Sequence, residues 1–231
     1  MRTPLTLWIA GLAFAALPAI SPAFGQEYVA SNGRMSDEDF YRAVACGAAP
    51  GGGPCQKDTK RWDKPEVRVT IRRLDDIYLG GKRARAYAAL ERAVQAINAV
   101  DFGVTLVAVE GAADIDIYFI NQETGSRIAG TDVPGVDGAV LGGATTRVRY
   151  SRETGAIRHA AIVFSTTLGI RAYESVMLEE LTQAMGLMSD IKNPYYEGKS
   201  VFSEDSNDSK ELGYQDVVAL RRHYEGALEG R

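Results

Sequence analysis

Polar side chains recur at helical spacing within the apolar stretch MLEELTQAMGL, which spans residues 177–187. At about 100° per residue, Glu179, Glu180 and Gln183 share one arc of the predicted helix. Glu180 is a candidate general base, and Glu179 and Gln183, one turn apart, are candidates for hydrogen bonding within a cleft. The alternative is a polar face in contact with solvent. The opposite, apolar arc predicts a core face that consists of Tyr173, Met177, Leu181, Ala184, Met185 and Met188.

Other candidate motifs are weaker. Tyr195 and Tyr196 in NPYYEG are candidates for lining a binding groove, although tyrosine is also common in cores. The segment DSNDSKELGYQD places polar side chains near the offsets of a calcium loop, but it lacks the central glycine and the terminal glutamate, so we interpret it as a solvated loop. No G-x-S-x-G motif occurs, and the two histidines, His159 and His223, offer little for a serine or cysteine triad.

Two kinds of periodicity predict an α/β (α+β) fold. Val67, Val69 and Ile71 alternate with polar residues, which is typical of a strand with one buried face. Further strands are predicted in VTLVAVE, DIDIYFI, TTRVRY and RHAAIVF, and a closing helix in YQDVVALRRHY. Strands that alternate with helices indicate a mixed sheet, with an exposed edge strand near Thr146–Tyr150. The helix after the first of these strands has an apolar stripe at Tyr87, Leu90, Val94 and Ile97.

The beginning of the chain is typical of a secretory signal over residues 1–25. Arg2 precedes the apolar run LTLWIAGLAFAALPAI, and small residues stand before Gln26, where we expect cleavage. A membrane anchor is the alternative, but the run is short and contains proline. No other segment is apolar enough to span a bilayer. The 231 residues carry a net charge of −4, which argues against nucleic acid as a partner.

Cys46 and Cys55 flank a Gly/Pro-rich loop in CGAAPGGGPC. A local disulfide is the first interpretation for an exported protein, and it would contribute about 2–3 kcal/mol. A two-cysteine metal site is the alternative, although no histidine lies nearby in the sequence. We expect an N-terminal extension over residues 26–65, in which Trp62 packs, and one domain over residues 66–231.

The element order and the 177–187 helix together resemble the metzincin-type zincins, a family of secreted metallopeptidases. Their signature is H-E-x-x-H-x-x-G-x-x-H, followed by a Met-turn. When the signature is aligned on EELTQAMGLMS, its three zinc-ligand positions fall on Glu179, Gln183 and Ser189. The catalytic glutamate falls on Glu180, and the turn glycine falls on Gly186.

This resemblance covers roughly residues 66–225 and implies a zincin-like mixed sheet with a crossover helix and an active-site helix. The motif is degenerate, because no ligand position carries histidine and Phe202 stands where the Met-turn has methionine. Catalytic zinc needs three good protein ligands and an open position, so we expect no metal and no cofactor. Gly186 is expected to cap the helix so that Ser189 turns toward the other two former ligand positions.

The sequence also resembles an uncharacterised family of exported proteobacterial proteins, some of them described as lipoproteins. Members share the FYRAVACG…C stretch near the N-terminus and the EELTQ helix, and both stretches occur here. This match reaches both ends of the predicted mature chain. It implies no known activity.

These patterns predict a periplasmic or secreted module that lacks catalytic activity and binds a polypeptide or cell-envelope component in the former active-site cleft. We expect Glu179, Gln183, Ser189, Tyr195 and Tyr196 to line this cleft, and the edge strand to contact an extended peptide. The alternative is a hydrolase with a non-standard carboxylate site built on Glu179 and Glu180. We expect no nucleic-acid partner and no membrane span after signal cleavage, and the sequence does not define an oligomeric state.

Overall fold

A computed structural model describes residues 28–226 of the chain. The predicted signal segment, residues 1–25, and its cleavage site before Gln26 lie outside this range. Within this range no helix is both long enough and apolar enough to cross a membrane. In chain order, the elements are β1 (Tyr28–Ala30), α1 (Asp37–Cys46), β2 (Glu66–Leu74), α2 (Gly81–Asn98), β3 (Thr105–Ala108), β4 (Ile115–Phe119), β5 (Ala144–Tyr150), β6 (Ile157–Phe164), α3 (Tyr173–Ala184), β7 (Asp190–Lys192) and α4 (Tyr214–Tyr224).

Five strands form the main sheet, in the order β3-β2-β4-β6-β5. Neighbouring strands are parallel except for β5, which runs antiparallel to β6 and forms one edge of the sheet. The predicted mixed α/β class with an antiparallel edge strand is therefore confirmed. The edge strand contains the segment Thr146–Tyr150 that the sequence indicated.

Both faces of the sheet are covered, which explains why its central strands are apolar. All five side chains of β4 are buried, as expected for a parallel strand between two layers. Helices cover one face. The glycine-rich segment between β4 and β5 covers the other face. Its apolar side chains join a second core cluster composed of Tyr118, Ile120, Ile128, Val136, Leu141, Ala161 and Val163.

Helix α2 crosses between β2 and β3 and packs against α3. The apolar stripe predicted for this helix is wrong at Tyr87, which is 45% exposed. The buried face is instead rich in alanine, whose small side chain lets two helices approach closely. The residues of α2 that are buried are Ala86, Ala89, Leu90, Ala93 and Ile97.

The N-terminal extension is built into the same core as the sheet. The predicted disulfide between Cys46 and Cys55 is present. Trp62 is fully buried, as expected, and its Nε1 donates a hydrogen bond to the carbonyl of Ala184, 3.0 Å away at the end of α3. Strands β1 and β7 pair in parallel and form a small second sheet, which the sequence did not predict. The extension therefore fixes the segment that follows α3.

Gly186 ends α3 in a left-handed conformation, with φ +105°, as predicted. Its N–H donates to the carbonyl of Gln183 at 2.8 Å. A Cβ at this position would meet the Lys60 carbonyl oxygen at 1.8 Å and Nε2 of His223 at 2.7 Å. Only glycine allows the helix end, the extension and α4 to approach each other this closely.

Substitution of this glycine tests the close approach. We expect Gly186→Ala to lower the free energy of unfolding by about 3 kcal/mol or more, because positive φ and steric overlap act together. Gly198→Ala is the control, since Gly198 has φ +64° and an added methyl group would have nothing within 4 Å of it, so only the conformational cost of about 1 kcal/mol remains. Urea denaturation measures both. Equal losses would contradict the packing described here.

Candidate binding cleft

A cleft of about 520 Å³ lies between edge strand β5 and helix α3. One wall consists of residues 140–147, which are the start of β5 and the segment before it. Glu179, Glu180 and Gln183 of α3 form the opposite wall. The cleft is completed by Met188 and Asp190 from the segment after the helix, by Lys57 and Lys60 from the extension, and by Asn207.

Burial of α3 explains why its carboxyl groups point into this cleft. Apolar side chains on nearly all sides of the helix, such as Val176, Met177 and Leu178, are buried in the main core. Glu179 and Glu180 are only 9% and 6% exposed. The alternative of a solvated polar face is therefore wrong. The two carboxyl groups lie in a confined site that the surrounding protein must satisfy.

Glu180 links the two walls of the cleft. Its Oε2 accepts a hydrogen bond from Oγ1 of Thr146 on β5, at 2.5 Å. The same hydroxyl also lies 3.2 Å from the Glu180 carbonyl oxygen. Burial raises the pKa of the Glu180 carboxyl to about 7, although the Thr146 hydrogen bond and the charge of Arg147 oppose this shift. Glu180 therefore changes its protonation near neutral pH.

Asp190 is a member of the site that sequence reasoning missed. Its Oδ1 accepts a hydrogen bond from Nε2 of Gln183, at 2.9 Å. Burial raises the pKa of Asp190 to about 8, the charges of Glu180 and Glu204 add to the rise, and the hydrogen bond from Gln183 and the charge of Lys57 oppose it. The only sequence signal was an acid next to a former ligand position, in the run GLMSD.

Glu179 differs from the other two acids because it accepts no hydrogen bond from any residue that the structure describes. Burial raises the pKa of its carboxyl well above the ordinary value, and the negative charges of Glu180, Asp190 and Glu204 raise it further. Among the described residues, the charged groups that act on it are all acidic. Glu179 is therefore the carboxyl of the cleft whose charge is least compensated.

Ser189, the third former ligand position, lies apart from the other two. Its side chain is 1% exposed, and Oγ accepts a hydrogen bond from Nζ of Lys57 at 3.1 Å. Its N–H donates to the carbonyl of Val44 in α1. Ser189 thus anchors the extension behind the cleft and is not part of the cleft wall. The expectation that it turns toward Glu179 and Gln183 is corrected accordingly.

The two tyrosines predicted to line the cleft lie elsewhere. Tyr195 and Tyr196 line a separate pocket beside Lys199 and the start of α4. Tyr196 is buried, and its hydroxyl accepts from the Met35 N–H and donates to Gln215. The short 3-10 turn after β7 directs both rings away from β5.

Met188 also departs from its prediction, since it lines the cleft instead of filling the core. The helix ends at Ala184 and the chain reverses at Gly186, so helical projection does not apply beyond this point. Phe202, at the position of the Met-turn, is fully buried and packs against Phe40 with ring centroids 6.2 Å apart.

Neither histidine lies in the cleft. His159 Nε2 is 3.0 Å from Oδ2 of Asp116 on the neighbouring strand. His223 is buried in α4 with Nε2 2.7 Å from the Lys60 carbonyl oxygen, and burial lowers its pKa to about 4. Asp216, from the segment with calcium-loop spacing, is also buried and accepts hydrogen bonds from Ser200 and Val201.

The residues at the three former ligand positions do not fit a zinc ion. The Gln183 amide is bonded to Asp190, and the Ser189 hydroxyl to Lys57. Among residues 28–226, no three His, Cys, Asp or Glu side chains come together in an arrangement that can hold a metal ion. The chemistry of the cleft is that of buried carboxyl groups beside the edge strand β5.

Fold and site together define a class: an α/β domain whose carboxyl-lined cleft lies between an antiparallel edge strand and a buried helix. The chain belongs to the DUF2927 family, a family of proteins of unknown function, whose sequence model matches residues 22–230. The expectation of an uncharacterised family is thereby confirmed. Comparison with curated proteins gives no significant match.

The raised pKa values predict how stability depends on pH. Asp190 ionises near its ordinary pKa of 3.8 in the unfolded chain but near 8 in the folded protein. Between these values the unfolded state binds fewer protons, so the free energy of unfolding falls as pH rises. His223 has the opposite effect below its ordinary pKa of 6.5. Glu180, whose pKa is raised from 4.5 to about 7, adds to the fall below that pH. We therefore expect a loss of at least about 1 kcal/mol per pH unit between pH 6.5 and 8.

Asp190→Asn should reduce this slope, because the neutral amide still accepts the hydrogen bond from Gln183. Asp208→Asn, at an exposed position, removes the same charge without burial and should leave the slope unchanged. Urea denaturation at a series of pH values provides the comparison. A native slope of zero, or one that Asp190→Asn leaves intact, would refute the assignment.

Proposed function

We propose that this chain is an exported, metallopeptidase-like module without peptidase activity that binds an extended polypeptide segment of a cell-envelope partner in the cleft. The observation that carries the proposal is the position of β5. Within residues 28–226 it pairs with β6 on one side and with no strand on the other, and its first half lines the cleft opposite α3. A free strand edge beside a cleft is a surface to which an extended peptide can add as a further strand.

Export to the periplasm or the medium is part of the same proposal. The signal-like sequence before Gln26 supports it. The Cys46–Cys55 disulfide supports it independently, because disulfides persist in oxidising compartments. The resemblance to metzincin-type zincins supports the cleft assignment, since it places the degenerate motif on α3, beside the antiparallel edge strand.

The absence of catalysis follows from the residue types in the motif. Zinc peptidases use the ion to polarise the scissile carbonyl and activate water. Glutamate, glutamine and serine at positions 179, 183 and 189 are poor replacements for three histidines. Without the ion, the Glu180 carboxylate lacks an electrophilic partner for peptide hydrolysis.

A second candidate, a carboxylate-based hydrolase, is favoured by one observation. Glu180 and Asp190 lie in the same cleft, and burial raises their pKa values to about 7 and about 8, at and just above neutral pH. An acid and a base with such values are suited to proton transfer at physiological pH. In this alternative, Glu180 acts as general base and Glu179 lies beside it.

Binding at the edge strand can be tested by amide hydrogen exchange. We expect a peptide selected from a random extended library to slow exchange in β5, residues 144–150, because new ladder bonds form there. Strand β3, residues 105–108, forms the opposite edge of the sheet and serves as the internal control. N-methylation of alternate peptide amides should weaken binding by about 10-fold or more. Protection of β3 alone, or of neither edge, would contradict the proposal.

The catalytic alternative can be tested with the same library as substrate. We expect no cleavage between pH 5 and 8 by the native protein, with or without added Zn²⁺, for lack of an electrophile. Mass spectrometry of the peptides gives the readout. Glu180→Gln keeps an acceptor for Thr146 and is the matched control. Cleavage by the native protein that disappears in Glu180→Gln would establish the hydrolase instead.

A further inference from the structure

The uncompensated carboxyl of Glu179 is the feature of the cleft that folding alone does not explain. Its side chain is about nine-tenths buried and lines the cleft. It accepts no hydrogen bond from the described part of the chain. A buried carboxyl without a donor costs stability, and native proteins satisfy most such groups. The carboxyl therefore takes its hydrogen bonds from what enters the cleft, either solvent or a ligand with donors.

The other charged groups of the cleft are already engaged. Glu180 accepts a hydrogen bond from Thr146, and Asp190 accepts one from Gln183. Among the cations, Nζ of Lys57 donates to Ser189. Nζ of Lys60 lies 4.8 Å from the centroid of the Tyr150 ring. The third cation, Arg147, lowers the pKa of Glu180 by its positive charge.

The surroundings of Glu179 favour positive charge. Glu180, Asp190 and Glu204 are the groups whose charges act on it, and all three are acidic. A cation at this point interacts favourably with several carboxyl groups in a partly dry site, whereas an anion is repelled by all of them. The group that fits has donors to offer and carries a positive charge, as an ammonium or a guanidinium does.

We propose that Glu179 receives the side chain of a lysine or arginine from the polypeptide bound along β5. This inference rests on the proposed function and adds the chemical class of the ligand. Side chains of an extended strand alternate between two faces, so every second residue of a peptide paired with β5 points to the same wall of the cleft. The apolar stem of lysine or arginine can lie along the cleft wall while its charged head meets the carboxyl.

The test uses the protein with the predicted signal segment removed, and a positional library of acetylated, amidated hexapeptides. In each pool, one position of the peptide is fixed as Lys, Arg, norleucine or Glu, and a separate set of pools covers each of the six positions. Binding of each pool is measured by fluorescence polarisation. We expect Lys and Arg pools to bind about 10-fold more tightly than norleucine pools at one register, as for a charge-assisted hydrogen bond. Glu pools should bind least.

Two variants assign the preference to Glu179. Glu179→Gln should bring the Lys and norleucine pools within about 2-fold of each other, whereas Glu179→Asp, which keeps the charge, should retain a preference. Glu110→Gln removes one negative charge at an exposed position beyond β3 and should leave the preference intact. Thermal unfolding confirms that each variant is folded.

The possible failures are distinguishable. Equal binding of the Lys and norleucine pools, or a preference that survives Glu179→Gln, overturns the cation site and leaves the proposed peptide-binding cleft standing. Binding by no pool overturns both the cation site and the proposed function.

Discussion

Burial of α3 on nearly all sides is the constraint on which the rest of the structure depends. The helix packs against α2, β5 and β6 and contributes Val176, Met177 and Leu181 to the main core. A helix in this position cannot leave a polar stripe in bulk water. Its carboxyl groups must be satisfied within the protein or held in a confined cleft. The Glu180 carboxyl is satisfied within the protein by the hydrogen bond from Thr146, whereas the Glu179 carboxyl is held in the cleft.

The same burial requires partners for the carbonyl groups at the end of the helix. Trp62 donates to Ala184, and the hydroxyl of Tyr224 donates to the carbonyl of Met185 at 2.8 Å. These donors come from the extension and from α4, so both segments converge where Gly186 permits close approach. The extension is consequently part of the structure that forms the cleft, and its Lys57 and Lys60 reach the cleft from this point.

Local patterns in the sequence predicted what depends on local physics, and they failed where distant parts of the chain meet. Helical periodicity identified the cleft-facing Glu179, Glu180 and Gln183, and the runs DIDIYFI and RHAAIVF predicted the strands β4 and β6. Periodicity predicts direction only within one regular element. Ser189 and Asp190 follow a chain reversal whose direction is set by the pairing of β7 with β1, a long-range contact that no sequence period encodes.

The acidic cluster is costly for folding, and this cost bears on its role. Three carboxyl groups with raised pKa values near one another stabilise the folded state less than neutral side chains of similar shape would. Features that reduce stability and lie in a cleft are typical of functional sites, where a ligand recovers the free energy that folding lost. A catalytic role requires an electrophile beside Glu180. Lys57 and Lys60 are engaged by Ser189 and the Tyr150 ring, and Arg147, whose charge acts on Glu180, is a guanidinium that holds its protons and is no substitute for a metal ion. A binding role requires only that the ligand bring a positively charged donor to Glu179. The residues present meet this requirement without any further catalytic group.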